Sequence, residues 1–209
     1  MTTDTSPAMD GRRARRERGR VAVSEAMIDL VFEGNIPPTA EAIAERAGVS
    51  IASLFRYFET LDDLRRETVE IYLDRLGHLF DIDDIGEGTL DVRIQNLVRS
   101  RATLYETTEP MARLLRMRAN EVPEVGEVLQ RVRATRADQI RHHFDHELQL
   151  LSRARRDDLV AIVVSLTSFE SWDQMCYTHR RTHQQVRRAW TTALNQILAP
   201  DQATVEEMT

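Results

Sequence analysis

The sequence predicts an all-α chain, and three observations predict it. Its 209 residues include six prolines and eight glycines, few enough to permit long helices. Apolar residues recur at three- and four-residue spacing, with no strand-like alternation and no internal repeat. Serine or threonine stands just ahead of several of these segments, where a side-chain oxygen can accept from a free N–H of the first turn.

Taken in order, residues 1–14 read as a disordered basic arm, with Pro7 and Gly11 among small polar residues. A first helix starts near Arg15 and runs to Phe32 on the stripe Val23, Met27, Leu30 and Val31. Gly34-Asn35 and Pro37-Pro38 end it. Thr39 caps a short helix over 40–47, Gly48 breaks it, and Ser50 caps a second over 51–58. Thr60 caps a long helix reaching Leu79, with Asp62 and Asp63 favouring its positive end. The acidic stretch 81–88 is a loop. Five more helices follow, over 89–106, 110–121, 123–151, 154–179 and 182–198. Pro110 and Pro123 fit first turns, and Ser152 and Thr182 fit caps.

Charge is unevenly spread. Residues 1–20 hold six arginines against three acids, a local +3, while the whole chain carries −6. A basic N-terminal segment on an acidic body attracts phosphate at one end. Every basic residue is arginine. No apolar run approaches the ~18 residues of a membrane span. No apolar stretch follows the N-terminal arginines, so no secretory leader is expected. Cys176 is the single cysteine, which excludes an internal disulfide and fits the cytoplasm.

The segment 39–58 has the spacing of a helix-turn-helix. Ala44 permits close approach of the second helix, and Gly48 allows a left-handed turn. Ile43, Ala47, Val49, Leu54 and Phe58 brace the pair from inside. At ~100° per residue, Leu54 and Phe58 define the buried face of the second helix. Ala52, Ser53 and Arg56 then face outward, flanked by Phe55 and Tyr57, with Ser50 and Ile51 at the start. Ala52 allows backbone approach, Ser53 can bond a base or phosphate, and Arg56 can fork onto guanine. Thr39 and Thr60 can hold phosphates. This face is poor in charge, holding Arg56 and at most Arg46 beside it. Arg12, Arg13, Arg15 and Arg16 are therefore expected to add phosphate contacts.

"TAEAIAERAGVSIASLFRYFETLDDL", with the preceding "AVSEAMIDLVFEGN", resembles the N-terminal domain of the TetR family of transcription regulators over about residues 15–66. The resemblance implies a three-helix DNA-binding domain, a divergent helical ligand-binding body, a homodimer, and repression released by a small molecule. Thr39, Ser50, Ala52, Ser53, Phe55, Tyr57 and Thr60 match positions that commonly contact DNA in that family. Three departures stand out. Leu61 replaces the usual lysine, Ala52-Ser53 replaces a small residue followed by threonine, and Tyr57 replaces the usual histidine.

The last two helices are the most apolar and wide enough to need more than one partner. A two-fold four-helix interface through Leu166, Val186, Trp190, Ala193, Leu194 and Ile197 would satisfy them. Tyr105, Met117, Phe144, Phe169 and Trp172 are candidates to line a pocket for an apolar effector. The expected organisation is thus a basic arm over 1–14, a DNA-binding domain over 15–59, a helical ligand-binding and dimerisation domain over 60–199, and a tail over 200–209. The expected partners are a double-stranded operator, a second copy of the chain and that effector, with no membrane.

Other chemistry has little support. His142, His143 and His146 invite a metal reading, but charged neighbours suggest a solvated helix face. No P-loop, dinucleotide fingerprint or nucleophile elbow is present. Lone Cys176 has no assigned base, so neither an enzyme nor a cofactor is expected. The competing class is a helical small-molecule-binding or protein-interaction module whose DNA binding is weak or lost.

Overall fold

Amphipathic spacing and capping produce ten α-helices in a computed structural model that describes residues 7–199. The expected tail and the first six residues lie outside that range. The described chain contains no strand. It divides into two compact units: residues 1–77 with 110–125, and residues 78–109 with 126–209.

In the first unit, α1 spans Pro7–Phe32, α2 Ala40–Arg46, α3 Ile51–Tyr57 and α4 Leu61–Leu76. Its core joins Val23, Met27 and Leu30 of α1 to Ile43, Ala44, Leu54, Phe58 and Leu64. Burying a side chain of this size stabilises by roughly 1.5–3 kcal/mol, which fixes α2 and α3 on α1. Thr39, Ser50 and Thr60 are N-caps, each side-chain oxygen accepting a backbone N–H of the first turn. Gly48 takes φ +66° in the turn, a left-handed value that strains any residue with a Cβ.

Residues 7–14, expected within a basic arm, form the first turns of α1. Helix α4, expected beyond a boundary at 59/60, packs on the helix-turn-helix. Leu64 is buried in its core, Thr68 donates to Met27 Sδ at 3.6 Å, and the tilted rings of Tyr72 and Phe32 lie 6.5 Å apart.

Gly19 lies mid-helix in α1, where glycine costs ~1 kcal/mol relative to alanine. A Cβ built there falls 2.5 Å from Cζ of Tyr57. The far end of the Tyr57 ring thus occupies the space a side chain at 19 would need. A side chain at 19 would therefore require the end of the Tyr57 ring to move.

In the second unit the long apolar segments are cut more often than periodicity suggests. Helix α6 ends at His143 and a short α7, Asp145–Gln149, follows, where one helix over 123–151 is expected. Arg93 donates to the His143 carbonyl at 3.1 Å, competing for the helical acceptor. The segment expected as one helix over 154–179 becomes α8, Arg153–Leu166, α9, Phe169–Asp173, and a π turn, Gln174–Thr178. Tyr105 donates to the Thr167 carbonyl at 2.8 Å, and Ser168 caps the restarted helix. The opposite happens in α5, Leu90–Arg118, which runs through Pro110 although two helices are expected there. Burial of Leu104 and Tyr105 before the proline, and of Met111 and Leu115 after it, outweighs the lost hydrogen bond. The last helix, α10, spans His183–Leu198.

The histidine cluster is also not a uniformly solvated face. His143 is fully buried; its Nδ1 accepts from Gly86 N at 3.0 Å, and its Nε2 lies 2.8 Å from the Arg93 carbonyl, to which it donates. Among the described residues, no group of three or more metal-ligating side chains gathers. Burial holds the His143 pKa below the ordinary imidazole value, helped by the nearby positive charges of Arg93, Arg101 and His142.

Two predictions follow from this packing. The unfolded chain takes up a proton at this histidine near pH ~6.5, while the folded chain resists it to lower pH. Stability from His143 is therefore full above that value and falls as pH drops below it. Urea melts at pH 7.5 and 5.5 should show a larger loss in the wild type than in His143→Asn. For the Gly19–Tyr57 contact, Gly19→Ala should gain less than the ~1 kcal/mol that helix propensity alone provides, because the end of the Tyr57 ring must move. The same change in a Tyr57→Ala background should recover that gain, as a double-mutant cycle would measure.

Candidate nucleic-acid interface

Helix α3 presents one face outward and buries the other. Leu54 and Phe58 are 0% and 1% exposed, while Ile51 and Phe55 are 43% and 44% exposed. Ser50, Ala52 and Arg56 are also exposed, and Ser53 and Tyr57 are half-buried. The outward residues expected from helical geometry therefore do share one face. Large apolar side chains exposed beside small polar ones suit a groove that offers both base edges and thymine methyls.

The polar part of that face is prearranged. Ser50 Oγ caps the helix by accepting from Ser53 N at 3.1 Å and donates to Ser53 Oγ at 3.0 Å. Arg56 Nη2 donates to the same Ser53 hydroxyl at 3.1 Å, and its guanidinium sits 5.6 Å from the Tyr57 ring centroid. Holding the guanidinium in one rotamer lowers the entropy lost when it forks onto a partner.

The C-terminal end of α3 is fastened by α1. Arg20 Nη1 donates to the Tyr57 carbonyl at 2.6 Å, and Nη2 pairs with Glu67 of α4. The Arg20 guanidinium lies 4.5 Å above the Phe58 ring. Arg16 Nη2 donates to the Arg56 carbonyl at 3.4 Å. A helix this short leaves most of its carbonyls unpaired at the C-terminus, and a cation there satisfies them and complements the dipole.

These contacts redistribute the expected arginine roles. Arg13 and Arg15 are exposed on α1, and the Arg12 side chain lies outside the described residues. Arg16 is bound to α3. Arg46 forms a two-point pair with Glu33, Nη1 to Oε1 at 2.9 Å and Nη2 to Oε2 at 2.5 Å, so its charge is already matched. That pair holds the Glu33 carboxyl below the ordinary range. Sequence reasoning missed Arg20, Gly19 and Glu67. The signal was present for Arg20, because 16, 20, 23 and 27 form one helical stripe that places arginines in line with the core.

The two threonines differ in their surroundings. Thr39 is exposed and accepts from Ala42 N at 3.3 Å. Thr60 is closed into a capping box: its Oγ1 donates to Asp63 Oδ2 at 2.9 Å and accepts from Asp63 N at 3.0 Å. These bonds hold the Asp63 carboxyl below its ordinary range, so a negative charge sits at the start of α4. Leu61 beside it packs on the domain core. The leucine thus replaces a lysine's charge with buried apolar surface.

The other expected sites lie in different places. Tyr105, Phe169 and Trp172 come together, with ring centroids 5.6 Å and 5.9 Å from Tyr105. Phe144 is buried separately against His143. Met117 is 58% exposed and belongs to the first unit. Of the expected interface residues, Val186, Trp190 and Leu194 are fully buried within the single chain. Their inward face is the core of the second unit, and Trp190 joins the Tyr105 cluster at 6.3 Å. Leu166, Ala193 and Ile197 are half-buried, and neighbouring Ile162 is 52% exposed.

Known proteins agree with this geometry. Residues 37–68 match the family model described as bacterial regulatory proteins, tetR family. The chain is 40% identical over 62 residues to uncharacterized HTH-type transcriptional regulators of Mycobacterium bovis and Mycobacterium tuberculosis. That match spans 29% of this chain and 32% of each relative, so the chain covers about a third of the length of the curated relatives it matches. The fold is shared with a transcriptional regulator from Rhodococcus sp. Rha1, at 17% identity and a TM-score of 0.63 over 88% of this chain and 95% of that one. It is also shared with a protein assigned to the TetR-family transcriptional regulators from Mesorhizobium loti MAFF303099, at 16% identity and a TM-score of 0.57 over 89% and 96%. Residues 37–68 thus match the helix-turn-helix of bacterial regulatory proteins of the tetR family, and the chain shares its all-helical fold with solved transcriptional regulators.

Proposed function

We propose that the chain is a sequence-specific DNA-binding transcription regulator that acts as a homodimer and is released from its operator by a small molecule. The observation that carries the reading is the outward face of α3, where Ser50, Ile51, Ala52, Phe55 and Arg56 are exposed on a helix whose other face is locked in the core. Arg56 reads a base or clamps a phosphate, and Phe55 and Ile51 supply apolar contact to base methyls. Arg13 and Arg15, exposed on α1, add phosphate contacts.

A two-fold operator calls for two such helices about one DNA turn (~34 Å) apart. Support for pairing comes from α8 and α10, which leave Ile162, Leu166, Ala193 and Ile197 wholly or partly uncovered while burying Val186, Trp190 and Leu194 inward. Two copies joined through the uncovered residues would keep each chain's core intact. An effector acts by binding the DNA-competent and released states with different affinity.

The test is fluorescence anisotropy with DNA from upstream of the chain's own gene, after selection of genomic fragments by the purified protein. Affinity should fall steeply with salt, and the stoichiometry should be two chains per site. Arg56→Ala should lose about 1–3 kcal/mol at its cognate position. Equal affinity for all DNA, unchanged by Arg56→Ala, would contradict the reading.

A further inference from the structure

Two arginines are buried in the second unit without a buried carboxylate to balance them. Arg101 on α5 is 1% exposed, and Arg136 on α6 is 9% exposed. Arg101 is held by neutral acceptors: Nη1 donates to the Phe80 carbonyl at 3.1 Å and Nη2 to Gln139 Oε1 at 2.6 Å. Gln139 is itself fixed by donating to Phe80 O at 3.0 Å. Arg136 lies with its guanidinium 5.3 Å from the Tyr105 ring centroid. Its Nε is buried and has no acceptor, and no hydrogen bond or ion pair among the described residues reaches this side chain.

A second unpaired donor lies around the same ring. Trp172 is fully buried, its ring is 5.9 Å from that of Tyr105, and its Nε1 has no acceptor. The neighbouring Trp190 differs, since its Nε1 donates to Ser171 Oγ at 3.3 Å. Tyr105 is engaged through its hydroxyl with the Thr167 carbonyl. Arg136 Nε and Trp172 Nε1 are thus two buried donors without an acceptor, each belonging to a side chain that lies near the Tyr105 ring. Burial, together with the positive charge of Arg136, lowers the Arg101 pKa to about 10, against the opposing influence of Tyr105 and of exposed Asp81. Unpaired buried donors and like charges are costly, and a protein that keeps them has a use for the missing acceptor.

We propose that Arg136 and the Trp172 indole N–H, both near the Tyr105 ring, bind the carboxylate head of a small molecule whose apolar body lies against the Tyr105–Phe169–Trp172 cluster. A planar two-oxygen head matches the guanidinium fork. The effector expected to be apolar thereby acquires an anionic end. The inference rests on the ligand-responsive part of the proposed function and names the class of that ligand.

The experiment is calorimetric and thermal-shift titration of the full chain, without DNA. The probes are phenylacetate, 4-phenylbutyrate and octanoate, each beside its primary amide. At least one carboxylate should bind and raise the melting temperature, with its amide at least tenfold weaker. Arg136→Met should weaken that carboxylate at least tenfold, and Arg136→Lys should restore part of the affinity. Without any probe, Arg136→Met should be at least as stable as the wild type, because it removes an unbalanced buried charge. The proposal is overturned if no carboxylate in the panel binds, if amides bind equally, or if Arg136→Met melts lower than wild type without a probe. DNA takes no part in these readouts, so their failure leaves operator binding standing. A carboxylate that binds without altering DNA affinity would count against release alone.

Discussion

The guanidinium of Arg20 reaches three parts of the N-terminal unit at once. It caps the Tyr57 carbonyl at the end of α3, pairs with Glu67 on α4, and lies over the Phe58 ring. Helix α3 has seven residues, too few to be stable alone. Its N-terminus is closed by Ser50 and its underside by Leu54 and Phe58. Arg20 closes the remaining end, so the direction in which Ser53, Phe55 and Arg56 point depends on a side chain of α1. The charged group contributes by satisfying carbonyls and ordering the junction, and its partial exposure keeps the direct electrostatic gain modest.

This arrangement changes what the N-terminal arginines do. A disordered arm would give them to phosphate as a group. Within α1 they divide by the partners they reach: Arg13 and Arg15 are exposed, whereas Arg16 and Arg20 donate to carbonyls at the end of α3. The weak positive charge of the reading face is met by a smaller set of free cations than the sequence suggests. Glu33 already matches Arg46, and Asp63 occupies the start of α4. The surface of α3 leans instead on exposed Ile51 and Phe55 and on a prearranged Arg56.

Much of the first unit was legible because its signals are local. Gly48 at positive φ, the caps Thr39, Ser50 and Thr60, and the spacing of Leu54 and Phe58 each act within a few residues. What was not legible depends on partners distant in sequence. Gly19 has meaning only beside Tyr57, and Leu61 only beside the core it packs on. The ends of α6 and α8 have the same origin, since Arg93 and Tyr105 take the carbonyls of His143 and Thr167. Periodicity reported the apolar stripes of the second unit correctly but not which partner covers them. Trp190 was read as facing another chain and instead meets Tyr105 and Trp172.

The central claim is that the end of α3 is set by Arg20 and that this setting is needed to read DNA. Arg20→Met keeps the length of the stem and removes the donors. Its operator affinity, measured by anisotropy beside amide hydrogen exchange of residues 51–58, tests the claim most directly. The account predicts faster exchange at the C-terminal end of α3 and at least a tenfold loss of affinity, with the rest of the core still protected. Wild-type affinity together with faster exchange in α3 would contradict it.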